Sequence, residues 1–255
     1  PNVASLAERL SASGYRTIMS GKWHLGTKPD QDPHARGFQQ SFALLQGGHN
    51  HFGYDLKAEG PRRPTYTHDG QVIEKLPADF YSTDYFTDQL LQELSASSDT
   101  SKPFFAYLTY TAPHWPMQAP AFDIEKYRGR YDAGFEALRR QRLERQAQLG
   151  LIDPAKPAAI PQLRNGGWDQ LSPEQKAEQA RLMEIYAAMV DRLDRNVGRV
   201  IDYLKRTGQY ENTVILFTAD NGAEGVDARE GRLAQIQPLA ISADNRLENL
   251  GAGSS

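Results

Sequence analysis

Five side chains in this 255-residue chain combine types and spacings that could do chemistry. Lys22 and His24 stand two apart in "GKWHLG", His114 lies in "APHWP", and Asp220 and Asn221 adjoin in "TADNG". Lys22 and His24 could donate to one oxyanion, and two such donors near a metal would stabilise a phosphate- or sulfate-like transition state. On an extended chain the two would project to the same side while Trp23 points away and packs. The plain alternative is an exposed lysine beside an aromatic turn. His114 is stiffened by Pro113 before it and Trp115-Pro116 after it, which suits a general acid or an anion contact; a buried structural imidazole is the alternative. The Asp220 carboxylate and the Asn221 amide oxygen could share a hard cation such as Ca²⁺ or Mg²⁺, although Asn-Gly is also an ordinary tight turn. Taken singly, each plain reading competes. Together, three loops supply a cation, an acid or base, and metal ligands.

The remaining histidines carry weaker signals. His49 and His51 in "HNHF" mimic a zinc pair, but no acidic or cysteine partner stands at a suggestive spacing. His34 and His68 read as loop histidines. The run "RRQRLERQ" reads as a solvated helix face.

Among the elements that must hold these residues, the first is a helix: Val3, Leu6, Ala7 and Leu10 repeat at helical spacing, with Asn2 as cap and Gly14 as stop. "YRTIMS" reads as a strand and "GKWHLG" as the loop after it. Residues 27–80 read as long loops with a small hairpin near "HDGQVIEKL"; loops of that length are usually functional. "STDYFTDQLLQELSAS" is a helix with Phe86, Leu90, Leu91 and Leu94 on one side. Phe104 to Tyr110 reads as a buried strand stopped by Pro113. Residues 122–170 read as a helical and loop insertion within one domain. "LSPEQ" opens the strongest helix, with Ser172 as cap, Pro173 at its first position and Gln175 completing a capping box. A strand over Val214 to Thr218 follows. This order implies an α/β fold with a mainly parallel sheet flanked by helices. In such sheets ligands bind where loops leave the carboxyl ends of strands, and all three chemical loops take that position.

Composition sets the outer bounds. Twenty-nine basic against thirty-two acidic residues give a net charge of −3, so nothing global points to nucleic acid or an anionic membrane. No run reaches the apolar length of a membrane-spanning helix. Cysteine is absent, which removes disulfides and cysteine-ligated zinc within the chain. The opening "PNVASLAERL" lacks an initiator methionine and the basic and apolar regions of a signal peptide, so it reads as the middle of a protein. The compartment stays open.

At these motifs the chain resembles a known family. "GYRTIMSGKWHLG" is similar to the second signature of the sulfatases, G-Y-x-T-x-x-x-G-K-W-H-L-G. "APHWPMQAP" resembles their A-P-H-x-P segment and "NTVILFTADNGAEG" their N-T-x-[VI]-x-F-x-[SA]-D-N-G segment. "PHARGF", "HNHFGYD" and "NRLENLG" further resemble the bacterial arylsulfatases. The resemblance runs from Pro1 to about Gly251 and implies an alkaline-phosphatase-like sandwich, incomplete here. It also implies a sulfuric ester hydrolase acting on a small-molecule or carbohydrate sulfate ester. By the same resemblance, Asp220 and Asn221 would be two ligands of one Ca²⁺, with Mg²⁺ as a substitute. Lys22 would contact the sulfate and a catalytic aldehyde hydrate. His24 would hydrogen-bond that hydrate and help expel sulfate, and His114 would touch the ester oxygen and assist the leaving group.

Family members use formylglycine as nucleophile, made from Cys or Ser in C/S-x-P-x-R by a formylglycine-generating or anaerobic maturase enzyme. That motif is absent here. It is expected upstream with two further Asp ligands, and a further sulfate-binding Lys downstream. The chain thus reads as a catalytic domain cut at both ends, inactive alone and a weak binder of Ca²⁺. Alternatives are a phosphonate- or phosphate-ester hydrolase of the same superfamily and a non-catalytic remnant of the fold. Two-metal phosphatases of that superfamily generally have Asp-His where this chain has Asp220-Asn221. A neutral amide suits one hard cation, which favours the sulfatase reading.

Overall fold

The fold was analysed in a computed structural model, which describes residues 3–57, 63–96, 102–156 and 167–222. Helix α1 spans Leu6–Ala12. Asn2 lies outside the described residues, and the cap is Ser5. The Ser5 hydroxyl accepts from the Glu8 amide (3.0 Å) while the Glu8 carboxylate accepts from the Ser5 amide (2.7 Å). This capping box starts the helix three residues later than the apolar spacing implies, leaving Val3 and Leu6 exposed.

Five strands form one sheet in the order β4-β3-β2-β1-β5. Strand β1 (Arg16–Lys22) lies between β2 (Gln40–Leu44) and β5 (Phe104–Thr109), parallel to both. The short strands β3 (Tyr66–His68) and β4 (Gln71–Ile73) form the expected hairpin and extend the sheet antiparallel from β2. Strand β2 falls in the region read as loops. All of Ser41 to Leu44 is buried, so no polar alternation marks it in the sequence.

Side chains alternate across the sheet. From β1, Ile18 packs on one face with Leu90 and Leu94 of helix α2 (Ser82–Ala96) and with Tyr203 and Leu204 of helix α5 (Pro173–Arg206). Met19 packs on the other face with Ala7 of α1, Phe38, Ala43 and Leu45. The result is the expected α/β architecture, a sheet with a parallel centre and helices on both sides. Ser172 caps α5 as expected; its hydroxyl accepts from the Gln175 amide at 3.3 Å. No helix among the described residues is long and apolar enough to cross a membrane.

Two expected strands differ. The run from Phe104 is only partly buried, and Tyr107 is exposed, because β5 is an edge of the described sheet. Val214 to Thr218 forms no strand. No described strand pairs with it, and a β-ladder needs a neighbour to take its amides and carbonyls. Val214 and Leu216 are 87% and 90% exposed. Within residues 122–170, short helix α3 (Ala121–Glu125) packs Ile124 against Ile185 and Met189 of α5, whereas helix α4 (Gly134–Gln148) buries only Gly134.

Candidate active site

Because β1 and β5 are adjacent and parallel, their carboxyl ends emerge side by side. Lys22 is the last residue of β1, and the Thr109 hydroxyl at the end of β5 donates to its carbonyl (2.7 Å). A Cβ at Gly21 (φ +126°) would collide with the Thr109 carbonyl, so only glycine permits this approach. The hydrogen bonding to β2 continues past the strand, Trp23 N–H to Leu44 O (2.8 Å) and His24 N–H to Leu45 O (3.2 Å). Trp23 turns away from the site as expected. Its ring meets Phe38 edge-on at 6.1 Å, and its indole N–H donates to the Gln31 carbonyl (2.8 Å). His24 does not continue the extended chain; it adopts φ +56°, and its ring comes to lie against Gly47. A Cβ at Gly47 would stand 2.6 Å from His24 Cε1.

His114 follows β5. Its amide donates to the Thr111 carbonyl (2.9 Å), and its Nδ1 lies 2.7 Å from the Trp115 carbonyl oxygen. A carbonyl only accepts, so Nδ1 carries a proton and Nε2 is the atom left to meet a substrate. The His114 ring passes over Gly48, where a Cβ would lie 3.4 Å from Cε1. Gly47 and Gly48 are thus the floor shared by His24 and His114.

Beneath that floor is a buried layer that sequence reasoning passed over. His49 and His51, dismissed as a zinc pair, are 4% and 0% exposed with ring centroids 5.0 Å apart. His49 Nδ1 bonds the Tyr66 hydroxyl, and its Nε2 is buried with no hydrogen-bond partner among the described residues. His51 Nδ1 lies 2.9 Å from Ser82 Oγ, and its Nε2 lies 3.0 Å from the His114 carbonyl oxygen. The only sequence signal was the position of "GGHNH" after a short apolar run, the same strand-end placement as the other loops.

The electrostatics are one-sided. Partial burial first, then the charges of Lys22 and His114, lower the proton affinity of His24. Burial holds His49 well below the ordinary imidazole value, with His51, His114 and Lys22 adding to it. Burial also lowers His51 to about 4, against the opposing effect of its bond to the His114 carbonyl. The charges acting on these rings all come from basic groups. Among the described residues no group of three or more His, Asp or Glu is placed to hold a metal. Two exposed histidines over a glycine floor, beside a half-buried lysine at the neighbouring strand end, are suited to an anion.

Two of the three chemical loops are therefore brought together and the third is not. Asp220 and Asn221 lie exposed beyond the unpaired segment. The Asn221 amide donates to the Gly222 carbonyl (2.8 Å), and among the described residues no hydrogen bond or ion pair joins either residue to Lys22, His24 or His114. His34 and His68, read as loop histidines, instead open a 3-10 turn (His34–Arg36) and end strand β3. His68 lies 3.8 Å from Glu93.

The sequence model of the Sulfatase family matches residues 1–240, and the chain belongs to that family. An uncharacterized sulfatase of Schizosaccharomyces pombe is 48% identical over 98% of this chain and 46% of its own length. An arylsulfatase of Klebsiella aerogenes is 39% identical over 87% of this chain and 47% of its own length. The chain thus spans about half the length of the curated relatives it matches. The fold is also shared with the crystal structure of Ps i-CgsB in complex with k-i-k-neocarrahexaose. That likeness has a TM-score of 0.54 at 23% identity, over 81% of this chain and 37% of the other.

Proposed function

We propose that this chain forms part of the active site of a sulfuric ester hydrolase acting on aryl or related sulfate monoesters. The observation that carries the reading is that His24 and His114 share one glycine floor beside the strand end that bears Lys22, at two adjacent strand ends. The Lys22 ammonium binds and orients the sulfate oxygens. His24, its proton affinity lowered, is neutral near pH 7 and can take a proton. His114, with Nδ1–H committed to the Trp115 carbonyl, offers Nε2 to the ester oxygen; when protonated, it donates there as the S–O bond breaks.

A formylglycine hydrate, when present, would supply the nucleophile, and a divalent cation would offset sulfate charge. Asp220 and Asn221 have the oxygen donors that Ca²⁺ or Mg²⁺ prefers, but they provide only two of the roughly six to eight oxygens a Ca²⁺ shell takes. They would hold one edge of such an ion. The maturase that makes formylglycine is the implied protein partner.

The test uses the full-length, matured protein. His114→Ala is expected to cut aryl-sulfate turnover by about a hundredfold or more while leaving the thermal midpoint within a few degrees of wild type. Equal damage to turnover and stability would reduce His114 to a structural residue and sink the reading.

A further inference from the structure

Every polar atom of His51 is engaged, and the partners come from three places. Its amide donates to Gln118 Oε1 (2.8 Å), and its carbonyl accepts from the Ser82 amide (2.8 Å). Nδ1 faces the Ser82 hydroxyl at 2.9 Å, and Nε2 faces the His114 carbonyl at 3.0 Å. The carbonyl can only accept, so the Nε2 nitrogen carries the proton. In the neutral ring Nδ1 then bears the lone pair and accepts from Ser82 Oγ–H. Geometry alone fixes the tautomer. No nitrogen remains to bind a metal, accept a substrate proton or touch a ligand, and the side chain is fully buried.

The loop that His51 grips is anchored on either side of His114 by Ala112 and Ala119, which pack against α3 and α5, and His51 supplies the hold at His114 itself. His114 is exposed, and its own bonds run to Thr111 and Trp115 within the same loop. The bond from His51 ties the His114 backbone to Ser82, the first residue of α2, and through α2 to the sheet.

We propose that His51 is a positioning residue for the ester-cleaving step. By holding the His114 carbonyl, it sets where the His114 imidazole stands relative to Lys22 and His24. This rests on the reading in which His114 meets the ester oxygen. Displacement of a catalytic group by about 1 Å can cost on the order of a hundredfold in rate, so a single buried bond suffices to matter.

The experiment compares His51→Gln, His51→Leu, His114→Ala and the His51→Leu/His114→Ala double variant in the full-length matured enzyme, on 4-nitrophenyl sulfate and phenyl sulfate. Gln can place an N–H where Nε2–H was, so H51Q is expected to stay within about threefold of wild-type kcat. H51L is expected to lose about ten- to a hundredfold in kcat with KM changed less than about threefold. Its loss should be greater on phenyl sulfate, whose leaving group needs more help. The double variant should be no slower than H114A, because both changes remove one function.

H51L at the wild-type rate, a loss equal on both substrates, or losses that simply multiply in the double variant would overturn the proposal. If H51L does not fold, His51→Asn, which reaches towards Ser82 but not His114, is read by the same criteria. H114A at the wild-type rate would instead overturn the reading of His114. A slow H114A beside a normal H51L would overturn the positioning role alone.

Discussion

Gly47 carries no side chain because the His24 ring fills the space one would need. Ala at this position would set its Cβ 2.6 Å from Cε1 and 2.7 Å from Nε2 of His24. G47A is therefore expected to lower aryl-sulfate turnover by about tenfold or more with little change in unfolding midpoint; unchanged turnover would show that the ring's seat is irrelevant. The buried imidazoles also predict a pH dependence of stability. His51 titrates near 4 in the folded chain, against about 6.5 in an unfolded one. Between those values the unfolded chain binds more protons, so this contribution is complete above about pH 6.5. It falls as pH drops towards 4 and changes no further below. The span is on the order of 3 kcal/mol for this group, and His49 acts in the same direction. For Asp84, burial is outweighed by Arg192 and Asn196, which together hold its carboxyl below the ordinary value, so its contribution is complete above the ordinary carboxylate value and is lost as pH falls through and below it. Urea unfolding between pH 7 and 5 should therefore show a falling midpoint, with a shallower slope in H51Q. A flat profile in wild type would contradict neutral buried imidazoles. Lys22, His24 and His114 were legible because their motifs sit where strands end. His49 and His51 were not, since their spacing resembles a metal pair and burial leaves no mark on residue type.

Among the elements, α2, α3 and α5 are clamped by charge. Asp123 of α3 is fully buried and paired with Arg192 and Arg195 of α5, and Arg192 also grips Asp84 of α2 through Nε at 2.8 Å. Asp123→Asn is expected to destabilise the fold by about 2 kcal/mol, because it weakens charge-assisted hydrogen bonds to half-buried Arg192, which keeps Asp84, and to exposed Arg195. Glu125→Gln, which removes an exposed pair with Arg128, should leave the denaturation midpoint unchanged. Similar losses from both would mean that burial of the carboxylate does not matter. Helix α5 was readable because its cap, first-turn proline and apolar spacing agree. Strand β2 was hidden by burial on both faces. The start of α1 was misplaced because apolar spacing alone outvoted the Ser5–Glu8 box.

On the scale of the whole molecule, Val214, Ile215, Leu216 and Phe217 present apolar side chains to solvent, and β5 ends the described sheet. Unpaired edges and contiguous apolar surface both favour association. The 255-residue chain is expected to self-associate with rising concentration, and Leu216→Lys with Phe217→Lys to reduce this. Sedimentation showing a monomer at every concentration would refute it. The strand expected there was drawn from its β-forming residues, and composition cannot supply the neighbour that a strand requires.

Lys22 and His114 belong to different mechanical regimes. Lys22 ends a strand laddered on both sides, whereas His114 is the exposed residue of an otherwise largely buried loop, held from behind by His51. The two sides of the site are therefore held by different means, one by a β-ladder and one by a single buried imidazole. On the proposed reading, the sheet would set the grip on the sulfate group, and the side that carries His114 would meet the rest of the ester.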